Sequence, residues 1–195
     1  MELRGHRRLR GNAKRRSRAG STLVDVLIAS VILTVAVGAL VQAMIKADDL
    51  AEATEEQQIA IAAAREMAEK IQAETFPEIF RRFNSDPDDD PGGAGTAAGA
   101  CFAVNGLTAR EGDGDGQVGA ILFPTISLGG TAVALREDVN NLALVMPRDL
   151  NGDENVDGLD HAGDYTLLPV AIRVEWTGVV GNCSTELHLL LADGG

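Results

Sequence analysis

At 195 residues and 20.4 kDa, with 45% hydrophobic and 24% charged residues, the chain is long enough for one domain-sized core plus an appendage, which excludes a wholly disordered chain and a polytopic membrane protein. The formal charge of −12 conceals a split: residues 1–20 carry eight Lys or Arg and one acid, and the remainder carries nine bases against twenty-eight acids. So acidic a surface repels phosphates, and general nucleic-acid binding is not expected.

The basic segment, residues 1–20, ends at Gly20. Behind it, residues 26–45 are twenty consecutive residues without a charge. As a helix at about 1.5 Å per residue they cross about 30 Å of hydrocarbon. Lys and Arg gathered before the run place the N-terminus in the cytoplasm and the acidic bulk outside. One reading is a secretory signal peptide, cut behind Val37-Gly38-Ala39 or Val41-Gln42-Ala43. An uncleaved signal anchor is another; twin-arginine export through Arg15-Arg16 lacks the rest of its pattern. All of these leave Asp25 without a role, although a carboxylate in such a block costs about 2.5–3.5 kcal/mol on insertion scales.

A basic leader closing on Gly20, then Ser21-Thr22-Leu23-Val24-Asp25 and an apolar run, resembles the type IV prepilin signal of pilins and type II secretion pseudopilins. The resemblance implies that a prepilin peptidase in the inner membrane cuts after Gly20 and methylates the new amino terminus, Ser21. It implies that Leu23 belongs to the recognition block and that Asp25 is the acidic residue five places into the mature chain. The apolar helix is retained and packs with other pilins or pseudopilins. The family mostly has Phe where Ser21 stands and Glu where Asp25 stands. A carboxylate among apolar helices is tolerable only when paired, and the cleavage that the resemblance implies would supply an ammonium at Ser21, of the same chain or of a neighbour, to pair with Asp25.

Helix is expected to continue past the membrane half, residues 21–45, because residues 46–75 contain nine alanines and neither Gly nor Pro. Leu50, Ala53, Ala60, Ala64, Met67 and Ile71 form a narrow apolar stripe at 3/4 spacing, interrupted at Gln57. Pro77 marks an end or a kink, with Phe76, Ile79, Phe80 and Phe83 closing the segment at residue 83. Residues 84–100, with two Pro, four Gly and four Asp, read as an acidic loop. From residue 101 to 195 the chain reads as a β-rich globular domain, with short strands at 101–104, 118–123, 133–135 and 142–146. A clearer hairpin follows: Val170, Ile172, Val174 and Trp176 alternate with polar or small residues, Gly178 and Gly181 turn the chain, and Leu187, Leu189 and Leu191 return. Its ending resembles the C-terminal hairpin of minor pilins and pseudopilins. The expected fold is α+β: a long N-terminal helix packed on a small antiparallel sheet, pilin-like in layout.

The best ligand pattern is the loop 149–160, where Asp149, Asn151, Asp153, Asn155, Asp157 and Asp160 place oxygens at the spacing of a Ca²⁺ loop. It resembles the loop of EF-hand and dockerin modules, and some pseudopilins carry a structural calcium; here Glu154 replaces the usual sixth-position Gly, and a strand pattern follows instead of a helix. The alternative is a plain Asx-rich turn. Glu111, Asp113 and Asp115 begin a second such pattern that fails at Leu122. Cys101 and Cys183 are the two cysteines; export permits a disulfide between them, and two thiols are the other option. His6, His161 and His188 come with no nucleophile motif, phosphate loop or ligand spacing, so no enzymatic activity is expected. The expected function is a structural minor subunit of a type IV pilus or type II secretion pseudopilus. The alternative is a membrane-anchored periplasmic calcium-binding module outside any filament.

Overall fold

The structure is a computed structural model that describes residues 19–194, with side chains from Thr22 onward. The basic leader up to residue 18, including His6 and Arg15-Arg16, lies outside the described residues. Helix α1 is Ala19–Gln72, and the chain divides into two units, Met1–Ala47 and Asp48–Gly195.

In the first unit, the described residues are helical throughout. Leu23, Val24, Val26, Leu27, Ile28 and the large apolar side chains onward to Ile45 are all exposed, and α1 is long and apolar enough to cross a membrane. The two hydroxyls inside the run are satisfied on the helix itself. Ser30 Oγ donates to the Leu27 carbonyl at 2.8 Å and Thr34 Oγ1 to the Ser30 carbonyl at 2.8 Å, so neither brings an unmet hydrogen bond into an apolar surrounding.

In the second unit, alanine-rich sequence carries α1 on to Gln72, alanine being the strongest helix former. Ala60, Ala64, Met67, Ala68 and Ile71 enter the core, whereas Leu50 is 64% exposed and lies off the buried stripe. The segment 46–83 is two helices rather than one. Proline is excluded from a helix interior and favoured in its first turn. Accordingly α1 stops before Pro77, and Pro77 opens α2, Phe76–Phe83, with Thr75 at its N-cap in an extended conformation. Ile79, Phe80 and Phe83 bury one face of α2. Phe80 meets Phe123 edge to face at 5.3 Å between centroids. Tyr165 Oη donates to the Phe76 carbonyl at 2.6 Å and packs its ring 5.0 Å from that of Phe76.

The strands are β1 (Cys101–Phe102), β2 (Gly119–Leu122), β3 (Thr125–Gly129), β4 (Ala132–Leu135), β5 (Leu167–Gly178) and β6 (Gly181–Ala192). One antiparallel sheet has the order β1-β2-β5-β6, and β3-β4 form a separate hairpin. With helix and antiparallel sheet contributing to one core, the fold is α+β. The alternation expected in β5 holds: Val170, Ile172, Val174 and Trp176 are buried. Leu168, Pro169 and Ala171 are buried too, so the first half of β5 is covered on both faces. Trp176 Nε1 donates to Glu56 Oε2 on α1 at 3.2 Å. Gly178 leaves the room this needs, since a Cβ there would collide with the Glu56 carboxylate.

One expectation is corrected here, and one open alternative is decided. Residues 142–146 are turn, not strand. Asn141 Oδ1 accepts the Ala143 and Leu144 amides at 3.1 and 3.3 Å, a local bond that competes with a ladder. Cys101 and Cys183 are both free thiols. Cys101 pairs with Ala120, Ala120 with Arg173 and Arg173 with Glu186. The cysteines therefore sit on opposite edge strands, three strand spacings or about 14 Å apart before any offset along β6, far beyond the reach of a disulfide.

Candidate functional site

Gly20 and Ser21 form part of the first turn of α1, and Leu23 and Asp25 follow on the same helix. Leu23 is 69% exposed. Gly20, Ser21, Leu23, Asp25 and the apolar run therefore lie on one continuous helix.

The loop 149–160 is ordered by its own side chains. Asp149 accepts the Gly152 amide through Oδ1 at 2.6 Å and the Glu154 amide through Oδ2 at 2.8 Å. Asn151 Oδ1 accepts the Asp153 amide and Asp153 Oδ1 the Asn155 amide, at 3.0 and 2.8 Å. Hydrogen bonds from Gly152 and then Glu154 hold the Asp149 carboxyl below the usual carboxylate range. Glu154 takes the left-handed conformation, φ 69°, that the sixth-position glycine normally supplies. Asp160 faces elsewhere: its Oδ1 accepts the Leu135 and Ala162 amides at 3.0 and 3.1 Å. The loop thus engages its acids with backbone N–H groups, and Asp160 anchors it to β4.

Around this loop the structure assembles a group that spacing along the chain did not reveal. Glu137 follows β4 and is 1% exposed; His161 follows the loop and is 3% exposed. Ligand atoms of Glu137, Asp157 and His161 all lie within 4.8 Å of one another and could hold a metal ion. Glu137 is held from behind: Oε1 accepts the Leu150 amide at 2.6 Å and the Asn151 amide at 3.3 Å, and Oε2 accepts the Asp157 amide at 3.1 Å. Asp157 Oδ1 accepts the Leu159 amide at 2.7 Å. His161 Nδ1 faces Asp164 Oδ1 at 3.1 Å, and Nε2 faces Asp157 Oδ1 at 3.2 Å and Glu137 Oε2 at 3.7 Å. Desolvation disfavours an imidazolium here, but the hydrogen bond to Asp157, the charge of Glu137 and the contact with Asp164 outweigh it and raise the His161 pKa.

Of the expected calcium ligands, the structure brings Asp157 alone into this cluster. Sequence reasoning set His161 aside for want of ligand spacing and did not single out Glu137. Asp157 and Asp164, four residues before and three after His161, were visible as a flanking pair; Glu137, twenty-four residues upstream, is brought in by topology alone. His188 is on the exposed face of β6, as its alternation implies.

The second acidic stretch lies near β1. Desolvation, reinforced by a hydrogen bond to Asp115 and its charge, pushes the Cys101 thiol up to about 11. Such a thiol is protonated at neutral pH and is a weak nucleophile.

No family model matches the sequence, and neither the curated proteins nor the solved structures contain a match to it.

Proposed function

We propose that the chain is a prepilin-like minor subunit, cleaved after Gly20 and held in a bacterial inner membrane by residues 23–45. Through that helix it assembles into a type IV pilus or a type II secretion pseudopilus, with the acidic domain on the periplasmic side. Its work is packing rather than chemistry, and its partners are the prepilin peptidase and other pilin-like subunits.

The observation that carries this reading is a conjunction in chain order: a basic sequence ending at Gly20, an acid at Asp25, and large apolar side chains exposed along α1 from Leu23 to Ile45. So large an apolar surface calls for lipid or the helices of neighbours to cover it. An α+β domain behind such a helix is the layout that the resemblance implies.

N-terminal sequencing of material from the native cell tests the reading. The expected start is Ser21; an intact Met1 or a start near Leu40 would overturn it. The alternative, an anchored metal-binding module outside any filament, is favoured by the cluster at Glu137, Asp157 and His161. It predicts that blocking cleavage at Gly20 leaves function intact, whereas the filament reading predicts an uncut subunit that does not assemble.

A further inference from the structure

We propose that Glu137, Asp157 and His161 form a site for a zinc-type divalent cation that ties the segment after β4 to the loop 149–160. The proposal is independent of whether Gly20 is cleaved.

The argument begins with His161, whose two ring nitrogens both face carboxylate oxygens. Asp164 Oδ1 stands 3.1 Å from Nδ1, and an ionised carboxylate can only accept, so Nδ1 carries a hydrogen and donates it. Nε2 then confronts Asp157 Oδ1 at 3.2 Å and Glu137 Oε2 at 3.7 Å. A lone pair turned toward two carboxylates is repulsive unless a cation lies among them. A proton on Nε2 is one such cation, and a metal ion is the other.

The spacing suits a metal of zinc's size. Tetrahedral ligands about 2.0–2.1 Å from Zn²⁺ stand about 3.3 Å from one another. The 3.2 and 3.7 Å separations from Nε2 bracket that value, and the three ligand atoms all lie within 4.8 Å of one another. The donor set also discriminates: one imidazole and two carboxylates favour zinc over calcium, which takes six to eight oxygens. Outer contacts complete the pattern. Asp164 fixes the imidazole from its far side, and backbone amides of Leu150, Asn151, Asp157 and Leu159 hold the carboxylates, as ligands of a metal site are usually held. Glu137 and His161 are enclosed while the Asp157 side chain keeps 28% of its surface, which gives an ion a way in and a water the fourth position.

The test uses the full chain in detergent micelles, stripped with a chelator and dialysed against Zn²⁺. The expected result is about one zinc retained per chain and, with Co²⁺ substituted, the intense visible absorption of a four-coordinate ion. His161→Gln should abolish retention. Because a buried substitution risks the fold, the exposed Asp164→Ala provides the second arm: it should weaken zinc binding about 10–100-fold while Glu66→Ala, on the exposed face of α1, leaves it unchanged. Three results would overturn the site: no zinc on the wild-type chain, zinc binding indifferent to both Asp164→Ala and His161→Gln, or tighter binding of Ca²⁺ than of Zn²⁺.

Discussion

His161 is surrounded by Glu137 after β4, Asp157 in the loop before it, and Asp164 one turn after it. A proton on Nε2 relieves the repulsion among these groups, and this makes stability depend on pH in a defined direction. The folded chain holds that proton more tightly than the unfolded one, whose histidine titrates near its ordinary 6.5. Below that value both states are protonated and the full contribution is present. As pH rises through the interval up to the raised folded value, the unfolded chain releases its proton first and the contribution disappears. In chelator, the melting temperature of the wild type relative to His161→Gln should therefore fall between pH 6 and pH 8. A difference that grows over this range would contradict the arrangement. Asp157 works from the acid side. Its carboxyl is held low chiefly by the Leu159 amide and also by His161, so its contribution is present near neutral pH and is lost as pH falls through its lowered value.

At the scale of elements, the elements whose own period decides their burial are the ones that could be read from the sequence. Helix α1 could be read from composition and the β5–β6 hairpin from alternation, because one pattern extends over many residues in each. The hairpin β3–β4 was missed in its first half. Thr125–Gly129 is mostly exposed, so no apolar period marks it, although Gly130, at φ 64°, and Thr131 form a two-residue turn and Gly129, at φ 113°, closes β3. Residues 142–146 look like a strand by apolar content, yet Asn141 captures two amides that a ladder would need. The cluster at Glu137 was illegible for a different reason: it is made by two segments, the one after β4 and residues 157–161, whose contact depends on the complete fold, and a glutamate in Leu135-Arg136-Glu137-Asp138 reads as surface. The stripe on α1 was legible in kind but not in extent. Ile71 is wholly buried while Leu50 is not, which sets up a contrast between two similar residues on one helix. Ile71→Ala should lower the unfolding free energy by about 2–5 kcal/mol, whereas Leu50→Ala should change it by less than about 0.5 kcal/mol. Urea unfolding of both variants in the same detergent checks this; equal losses would mean that the helix is not docked as described.

For the whole molecule, the proposed reading turns on how an acid is accommodated in the helix that enters the membrane. A carboxylate there costs about 2.5–3.5 kcal/mol on insertion scales, and cleavage after Gly20 would release an ammonium at Ser21, about 6 Å up the same helix. Pairing within one chain would relieve the charge but specify nothing about assembly. Pairing with the amino terminus of a neighbour would do more, because sliding one helix past the other by a single turn would separate the charges in a medium that hydrates neither. The two arrangements give different outcomes for Asp25→Ala. In the proposed reading leader removal depends on Gly20 and Leu23, so the variant should be cleaved like the wild type. If the carboxylate sets the register between subunits, the cleaved variant should co-purify with its partner subunits far less than the wild type, and Asp25→Glu should restore the association. Should Asp25→Ala be cleaved and still capture its partners at the wild-type level, the carboxylate serves its own chain alone, and assembly must take its register from the shape of the apolar helix.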